Sequence, residues 1–282
     1  MSIIVNHLSH VYNPGTAFEV KALSDVSFTI EDGEYVGFVG RTGSGKSTLV
    51  THLNGLMKPT AGGVYYNGED IASEGYDLKT LRSKVGLVFQ YPEHQLFEED
   101  VFTDVCFGPK NLGLDRTEIE LRAYDALKAV GITDEQFYVS PFDISGGEKR
   151  KVAIAGVLAM RPEVLILDEP CAGLDPRGRE EILSIADDLH DTLGITIILV
   201  SHSMDDLAEH ADRILVMDKG NLAMDGTAKE VFSHRQELEE MGLAVPEVTA
   251  VLSDLKKAGL GVSDNIITIE DAVREILRVR RR

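Results

Sequence analysis

The chain has 282 residues, with 47 acidic against 28 basic side chains and a formal net charge of -19. That field repels polyanions and disfavours a nucleic-acid binder, whose phosphate contacts rest on clustered Lys and Arg. Hydrophobic residues at 43% and charged residues at 27% exclude a disordered or fibrous chain and suit one large domain or a domain with an appendage.

The start, Met1-Ser2-Ile3-Ile4-Val5-Asn6, lacks the basic and long apolar regions of a signal peptide, so a cytoplasmic chain is expected. The longest apolar stretches, Val152 to Met160 and Ile195 to Val200, fall short of the roughly 18 residues needed for a spanning helix. Cys106 and Cys171, the two cysteines, supply neither a disulfide framework nor a four-cysteine metal site.

In chain order, Ile3-Ile4-Val5 and Val26 to Ile30 read as half-buried strands. Asp32-Gly33, between Ile30 and Tyr35, is a hairpin signal, so the chain is expected to open with an antiparallel β layer. Short, almost fully apolar runs at Tyr35 to Val39, Val85 to Phe89, Val164 to Leu167, Ile195 to Val200 and Ile214 to Met217 predict strands buried on both faces. Helical patterns fall at Lys46 to Leu56, Leu78 to Ser83, Arg116 to Val130, Gly147 to Met160, Pro176 to Thr192 and Met204 to His210. Strand alternating with helix predicts an α/β fold with a mostly parallel core sheet. Residues from about 91 to 161 carry few strand signals and read as a helical subdomain inserted in residues 1–235. A small helical extension occupies 236–282. Pro246 opens its first helix, with Val248, Val251, Leu252 and Leu255 on one face and Gly259 at its end. Thr268 caps the second, whose apolar face is Ile269, Ala272, Val273, Ile276 and Leu277. That helix ends in Arg278, Arg280, Arg281 and Arg282, a solvated end suited to the helix dipole or a contact for anionic lipid headgroups.

The sharpest motif is Gly40-Arg41-Thr42-Gly43-Ser44-Gly45-Lys46-Ser47, followed by Thr48, where an apolar strand meets a helix. This is a P-loop. Its glycines turn backbone N–H groups inward around phosphates, Lys46 reaches the terminal phosphates, and Ser47 offers a hydroxyl to Mg²⁺. A second motif, Val164-Leu165-Ile166-Leu167-Asp168-Glu169, ends a strand in two carboxylates that point in opposite directions. Asp168 suits Mg²⁺, and Glu169 suits the role of general base towards an attacking water. A third, Ser145-Gly146-Gly147-Glu148-Lys149, opens an amphipathic helix as a second phosphate cradle.

With these residues the chain resembles the nucleotide-binding subunit of ATP-binding cassette (ABC) transporters over about residues 1–235. The P-loop, Gln90, the signature at Ser145, Asp168-Glu169, Ala172-Gly173-Leu174-Asp175 and Ser201-His202 follow that family's order. The resemblance implies that Gln90 senses Mg²⁺ and the membrane partner, that Asp175 lies in a loop crossing a dimer interface, that His202 contacts the γ-phosphate and that Tyr12 stacks on adenine. Gln90-Tyr91-Pro92-Glu93-His94-Gln95-Leu96-Phe97, Phe107-Gly108-Pro109-Lys110-Asn111 and Ser145 to Gly156 further resemble the ATPases of energy-coupling factor transporters, of the A-prime type. Glu148, where ABC proteins generally carry Gln, is shared by that subgroup.

This resemblance implies an ATPase with ATP and Mg²⁺ as ligands, working on the cytoplasmic face of the cell membrane. Two ATPase subunits, identical or paralogous, sandwich ATP. An integral membrane coupling subunit and a substrate-binding membrane subunit complete an importer of vitamins or metal ions, and the C-terminal helices pair the ATPases. The alternatives are a soluble ABC protein acting on ribosomes or DNA, and a P-loop metabolic kinase. Between Ser47 and Ser145 no sustained heptads mark the long coiled coil of the chromosome-bound type, and a kinase needs neither signature nor His202.

Overall fold

Two sheets divide the strands of the protein, whose computed structural model describes residues 2–280, apart from the side chains of Glu93 and His94. The first sheet holds β1 (Ser2–Tyr12), β2 (Val20–Glu31), β4 (Ala61–Tyr66) and β5 (Glu69–Asp70), in the order β2-β1-β4-β5 and antiparallel throughout. Ile3 pairs with Ile30 and Val5 with Phe28, placing the apolar member of each alternating pair on the inner face.

The second sheet runs β10-β9-β3-β8-β7-β6. Its members are β3 (Tyr35–Val39), β6 (Val85–Val88), β7 (Val164–Asp168), β8 (Thr196–Val200), β9 (Arg213–Asp218) and β10 (Asn221–Thr227). All pair in parallel except β10, an antiparallel edge strand that carried no strand signal strong enough to be read. β3, β6, β7 and β8 are buried at every residue, as their continuous apolar runs predict. The reason lies in alternation: on β7, Leu165 and Leu167 face a core shared with the helices, whereas Val164 and Ile166 face the core beneath the antiparallel sheet.

Asp32-Gly33 is a turn, with Gly33 at φ 71, but it does not close a hairpin. β2 and β3 lie in different sheets, so the expected pairing across this turn is corrected to a crossover between layers. The burial patterns explain it. β2 alternates, while β3 is buried on both faces and belongs in the centre of the covered sheet.

The helices are α1 (Lys46–Leu53), α2 (Leu78–Lys84), α3 (Val101–Leu112), α4 (Arg116–Ala129), α5 (Gly146–Leu158), α6 (Pro176–Leu193), α7 (Met204–His210), α8 (Ala228–Ser233), α9 (Arg235–Glu240), α10 (Glu247–Lys257) and α11 (Ile269–Arg280). Side-chain caps start most of them: Asp77 for α2, Asp100 for α3, Asp115 for α4, Ser145 for α5, Asp175 for α6, Ser203 for α7 and Thr227 for α8, each satisfying amides that would otherwise be orphaned. Between β6 and β7 the regular structure is helical, with α3, α4 and α5 packed on one another.

After α9 the chain stays against the body of the protein. Leu243 and Val245 enter the main core, and the Glu247 N–H donates to Asp205 on α7 at 2.9 Å. α10 and α11 close around a small core of Leu252, Val262 and Ala272. The expected apolar face of α11 is only thinly used: Ala272 is buried, while Ile269, Val273, Ile276 and Leu277 are exposed. Arg278 is paired with Glu275 at 2.6 Å, and Arg281 and Arg282 lie outside the described residues.

Candidate nucleotide-binding site

The loop between β3 and α1 is shaped by positions with no room for a side chain. A Cβ on Gly40 would collide with the Met217 carbonyl and the Ser44 hydroxyl. Gly45, at φ 104, would place one 2.6 Å from the Ala22 carbonyl oxygen, so only glycine fits that bend. α1 then begins without a side-chain cap. Its first N–H groups and the positive end of its dipole are left to a ligand, a natural anion site.

Lys46 is 6% exposed, and its Nζ donates to the carbonyls of Gly40 at 2.5 Å and Arg41 at 3.3 Å. The ammonium is thereby held across the mouth of the loop. Burial pulls its pKa down, opposed by the charges of Glu169 and Asp168.

Those carboxylates end β7. Asp168 is buried, and its Oδ1 has no hydrogen-bond partner. Burial raises its pKa, countered by the Ser47 hydroxyl and the Lys46 charge. Glu169 sits at φ 52, its N–H bonded to the Val200 carbonyl at 2.9 Å. This left-handed backbone is strained for a residue with a Cβ and turns the side chain off the strand. Burial drives the Glu169 carboxyl up to about 7, with Lys46 pulling the other way. His202, just after β8, places Nε2 3.0 Å from Glu169 Oε1. Burial and the Lys46 charge depress the pKa of that imidazole and keep it neutral.

These groups meet in a cleft of about 370 Å³ lined by Tyr12, Thr42, Gly43, Gly45, Lys46, Ser47, Thr48, Gln90, Glu169 and His202. Residues from five separate stretches of sequence are thus brought together. Gly40, Arg41 and Ser44 belong to the loop but not to the cleft wall, Gly40 and Ser44 being packed against each other. Asp168 lies buried behind Ser47. Tyr12 forms one end, its hydroxyl 3.1 Å from Thr48 Oγ1 and its ring edge-on to His10 at 4.6 Å. Val20, Lys21 and Ala22 also line the cleft. Nothing in the sequence pointed to them, since an edge segment of β2 carries no motif.

The signature residues and Asp175 do not reach this cleft. Ser145 caps α5: its Oγ accepts from the Glu148 N–H at 3.3 Å, and Glu148 Oε2 accepts from the Ser145 N–H at 2.8 Å. Glu148 Oε1 accepts from Gln136 at 2.5 Å. Hydrogen bonds from Ser145, ahead of that from Gln136, hold the carboxyl below its usual range. Glu148, expected at the nucleotide, therefore has both oxygens engaged in its own subunit as a capping box. Gly146 and Gly147 have open space where a Cβ would stand, so the helix start can be approached closely. Asp175 caps α6, accepting from the Gly178 N–H at 2.8 Å. Within one chain the P-loop and the signature therefore do not share a cleft.

A second, larger cavity of about 530 Å³ lies between α2, α3 and α5 and is lined mainly by apolar groups, among them Phe97, Phe107, Val152 and Met160. Among the described residues no helix is long and apolar enough to cross a membrane.

The family described as ABC transporter matches residues 23–172. Over 281 residues the chain is 52% identical to the energy-coupling factor transporter ATP-binding protein EcfA2 of Caldanaerobacter subterraneus subsp. tengcongensis, covering 100% of this chain and 98% of that protein. The protein of the same name from Clostridioides difficile is 52% identical over 283 residues, with 100% and 98% covered. Among solved structures, cbiO1 of Clostridium perfringens, part of the ABC transporter complex cbiONQ, matches with a TM-score of 0.74 and 39% identity, covering 84% of this chain and 93% of that one. A dimeric ATP-binding cassette bound to ADP and Pi matches with a TM-score of 0.72 and 27% identity, over 80% and 98%. Relatedness of this extent leaves the soluble ribosome- or DNA-directed ABC proteins and the P-loop kinases without support: the chain belongs to the ABC transporter family and is an ATPase of its energy-coupling factor branch.

Proposed function

We propose that this chain energises an energy-coupling factor importer from the cytoplasmic face of the cell membrane, paired with a second ATPase and docked on an integral membrane coupling subunit that works with a substrate-binding membrane subunit carrying a vitamin or metal ion. The observation that carries this reading is the separation of the two phosphate cradles. The signature of the chain does not line the cleft of its own P-loop, and a head-to-tail pair of such chains would complete each site.

In that arrangement Lys46 and the uncapped amides of α1 hold the β- and γ-phosphates, and Tyr12 supports the base. Ser145, Gly146 and Gly147 of the opposite subunit close over the γ-phosphate, with Glu148 fixing their helix start and Asp175 lying in the loop at the interface. Mg²⁺ fits the residues present. Ser47, Asp168 and Gln90 supply oxygen ligands of the kind a hard cation takes, and the buried Oδ1 of Asp168 has no other partner. When bound, the ion neutralises phosphate charge. Glu169 takes the proton of the attacking water, and neutral His202 contacts the γ-phosphate side. ATP is a bridging ligand, favouring the closed pair until hydrolysis removes the γ-phosphate contacts. The apolar cavity beside Phe97 and Phe107 suits a helix of the coupling subunit, which would carry the motion into the membrane. Residues 1–235 act as the cassette and 236–282 as the pairing extension.

Affinity purification of the tagged chain from membranes tests this reading. Recovery of integral membrane partners together with a second ATPase is expected. Recovery of nucleic acid or a phosphorylated metabolite, with no membrane protein, would count against it.

A further inference from the structure

A buried cation ties the signature helix to the loop that follows Glu169 within one subunit. Arg150 stands on α5, one turn beyond the Ser145 cap, and is 3% exposed. Its Nη1 donates to the carbonyls of Pro170 at 2.8 Å and Ala172 at 2.9 Å. Those carbonyls flank Cys171, in the loop that leaves Glu169 and arrives at Asp175. The loop's own bonds are weaker anchors: the Ala172 N–H donates to the Glu169 carbonyl and the Leu174 N–H to that of Cys171, each at 3.2 Å, and Cys171 Sγ lies 3.9 Å from the Arg179 carbonyl. The next residue of the helix, Lys151, reaches Glu181 on α6 at 2.5 Å. α5 is therefore bonded to the loop and to the helix that follows it, and close-packed elements joined in this way do not shift independently.

We propose that Arg150 is a positioning residue through which α5 sets the Pro170–Ala172 loop and so the aim of Glu169. Capture of a nucleotide by a subunit's signature then tunes hydrolysis at that subunit's own Glu169. The inference rests on the reading above, in which the signature binds the opposite nucleotide and Glu169 is the base. It gives each site information about whether the other is filled, a coupling carried by one residue with two identified acceptors. The guanidinium is suited to this because one nitrogen serves both carbonyls while its charge is permanent.

The test uses the full chain assembled with its membrane subunits. Steady-state ATPase is measured against ATP concentration, and nucleotide affinity is measured separately with a fluorescent ATP analogue. Arg150→Met, which keeps the bulk and removes the donors, should lower kcat about 10- to 100-fold, the range of a misaimed catalytic group. Cooperativity in ATP should vanish while affinity for the analogue stays within about threefold, because the P-loop is untouched. Arg150→Lys should recover part of kcat. Adding Arg150→Met to Glu169→Gln should cost little more, since the two act through one step. Turnover within about twofold of wild type, or a fall in kcat with cooperativity intact, overturns the proposal. If Arg150→Met does not assemble, Arg150→Lys and Arg150→Gln decide: slowed, non-cooperative turnover at normal affinity supports it, and wild-type behaviour overturns it. Glu169→Gln, run alone, separates the levels. Undiminished hydrolysis there defeats the assignment of the base itself, whereas lost hydrolysis with a normal Arg150→Met defeats only the role of Arg150.

Discussion

His202 Nε2 stands 3.0 Å from Glu169 Oε1, yet the carboxyl oxygen is buried and accepts no hydrogen bond. Burial moves both groups towards their neutral forms, Glu169 upward to about 7 and His202 downward. A neutral imidazole therefore faces a carboxyl close to half ionisation at neutral pH, the condition in which a carboxylate is an effective base. The left-handed backbone at Glu169 is the conformational cost of that aim.

Glu169→Gln keeps the shape and removes the base. ATP binding should persist while hydrolysis falls at least ~10²-fold, as read by single-turnover phosphate release and by nucleotide binding at equilibrium. Unchanged turnover would remove Glu169 from its role.

The raised carboxyl sets a pH dependence. Glu169 must be ionised to accept a proton, so kcat/KM should fall as pH drops through about 7, and a pH–rate profile flat from 6 to 8 would contradict this. Stability runs in the opposite sense. The folded pKa lies above the ordinary 4.5, so the folded chain holds more protons in that window. The contribution of Glu169 is full below the unfolded value and is lost as pH rises through about 7. Glu169→Gln should thus be more stable than wild type above pH 7, by at most about 3 kcal/mol, and show no such gain near pH 4. Thermal melts at the two pH values measure the difference.

Lys46 is the buried cation of the P-loop, unlike the exposed Arg41, and its loss should remove a charge-assisted contact to phosphate. Lys46→Ala should weaken ATP binding roughly 10- to 100-fold. Chelation of Mg²⁺ should weaken it as well, because a chain of net charge -19 has few local devices to offset the charge of ATP. Calorimetric titration with and without chelator reads both effects, and metal-independent affinity would undercut the second.

The exposed apolar residues of α11 give a separable test of pairing. Val273→Asp with Leu277→Asp should leave monomer stability within about 0.5 kcal/mol per site, as both are exposed. Association of the two ATPases should fall at least tenfold, about 1.4 kcal/mol, by analytical ultracentrifugation. Undisturbed association would release this face from the role proposed for it.

Much of the fold was legible because its signals are local. Continuous apolar runs specify strands buried on both faces wherever they occur, and the P-loop, Asp168-Glu169 and Ser145-Gly146-Gly147 carry spacings that only particular backbone shapes satisfy. Asp32-Gly33 specifies a turn but not the sheet that each flanking strand joins. β10 has no such signal because an edge strand needs no apolar run, and Ala22 has none because its part in the cleft comes only from packing against Gly45.

The sequence by itself determined which residues could bind phosphate and move a proton, since that capacity resides in residue type and in short spacings. Only the tertiary structure decided which of them meet. It gathered Tyr12, Lys46, Gln90, Glu169 and His202 into one cleft, left the signature and Asp175 outside it, and bonded Arg150 to the loop that follows Glu169. The physical reason is burial: long-range packing sets both the neighbours of a side chain and its dielectric, so the elevated pKa of Glu169 and the buried bonds of Arg150 exist only when the strands and α5 are assembled.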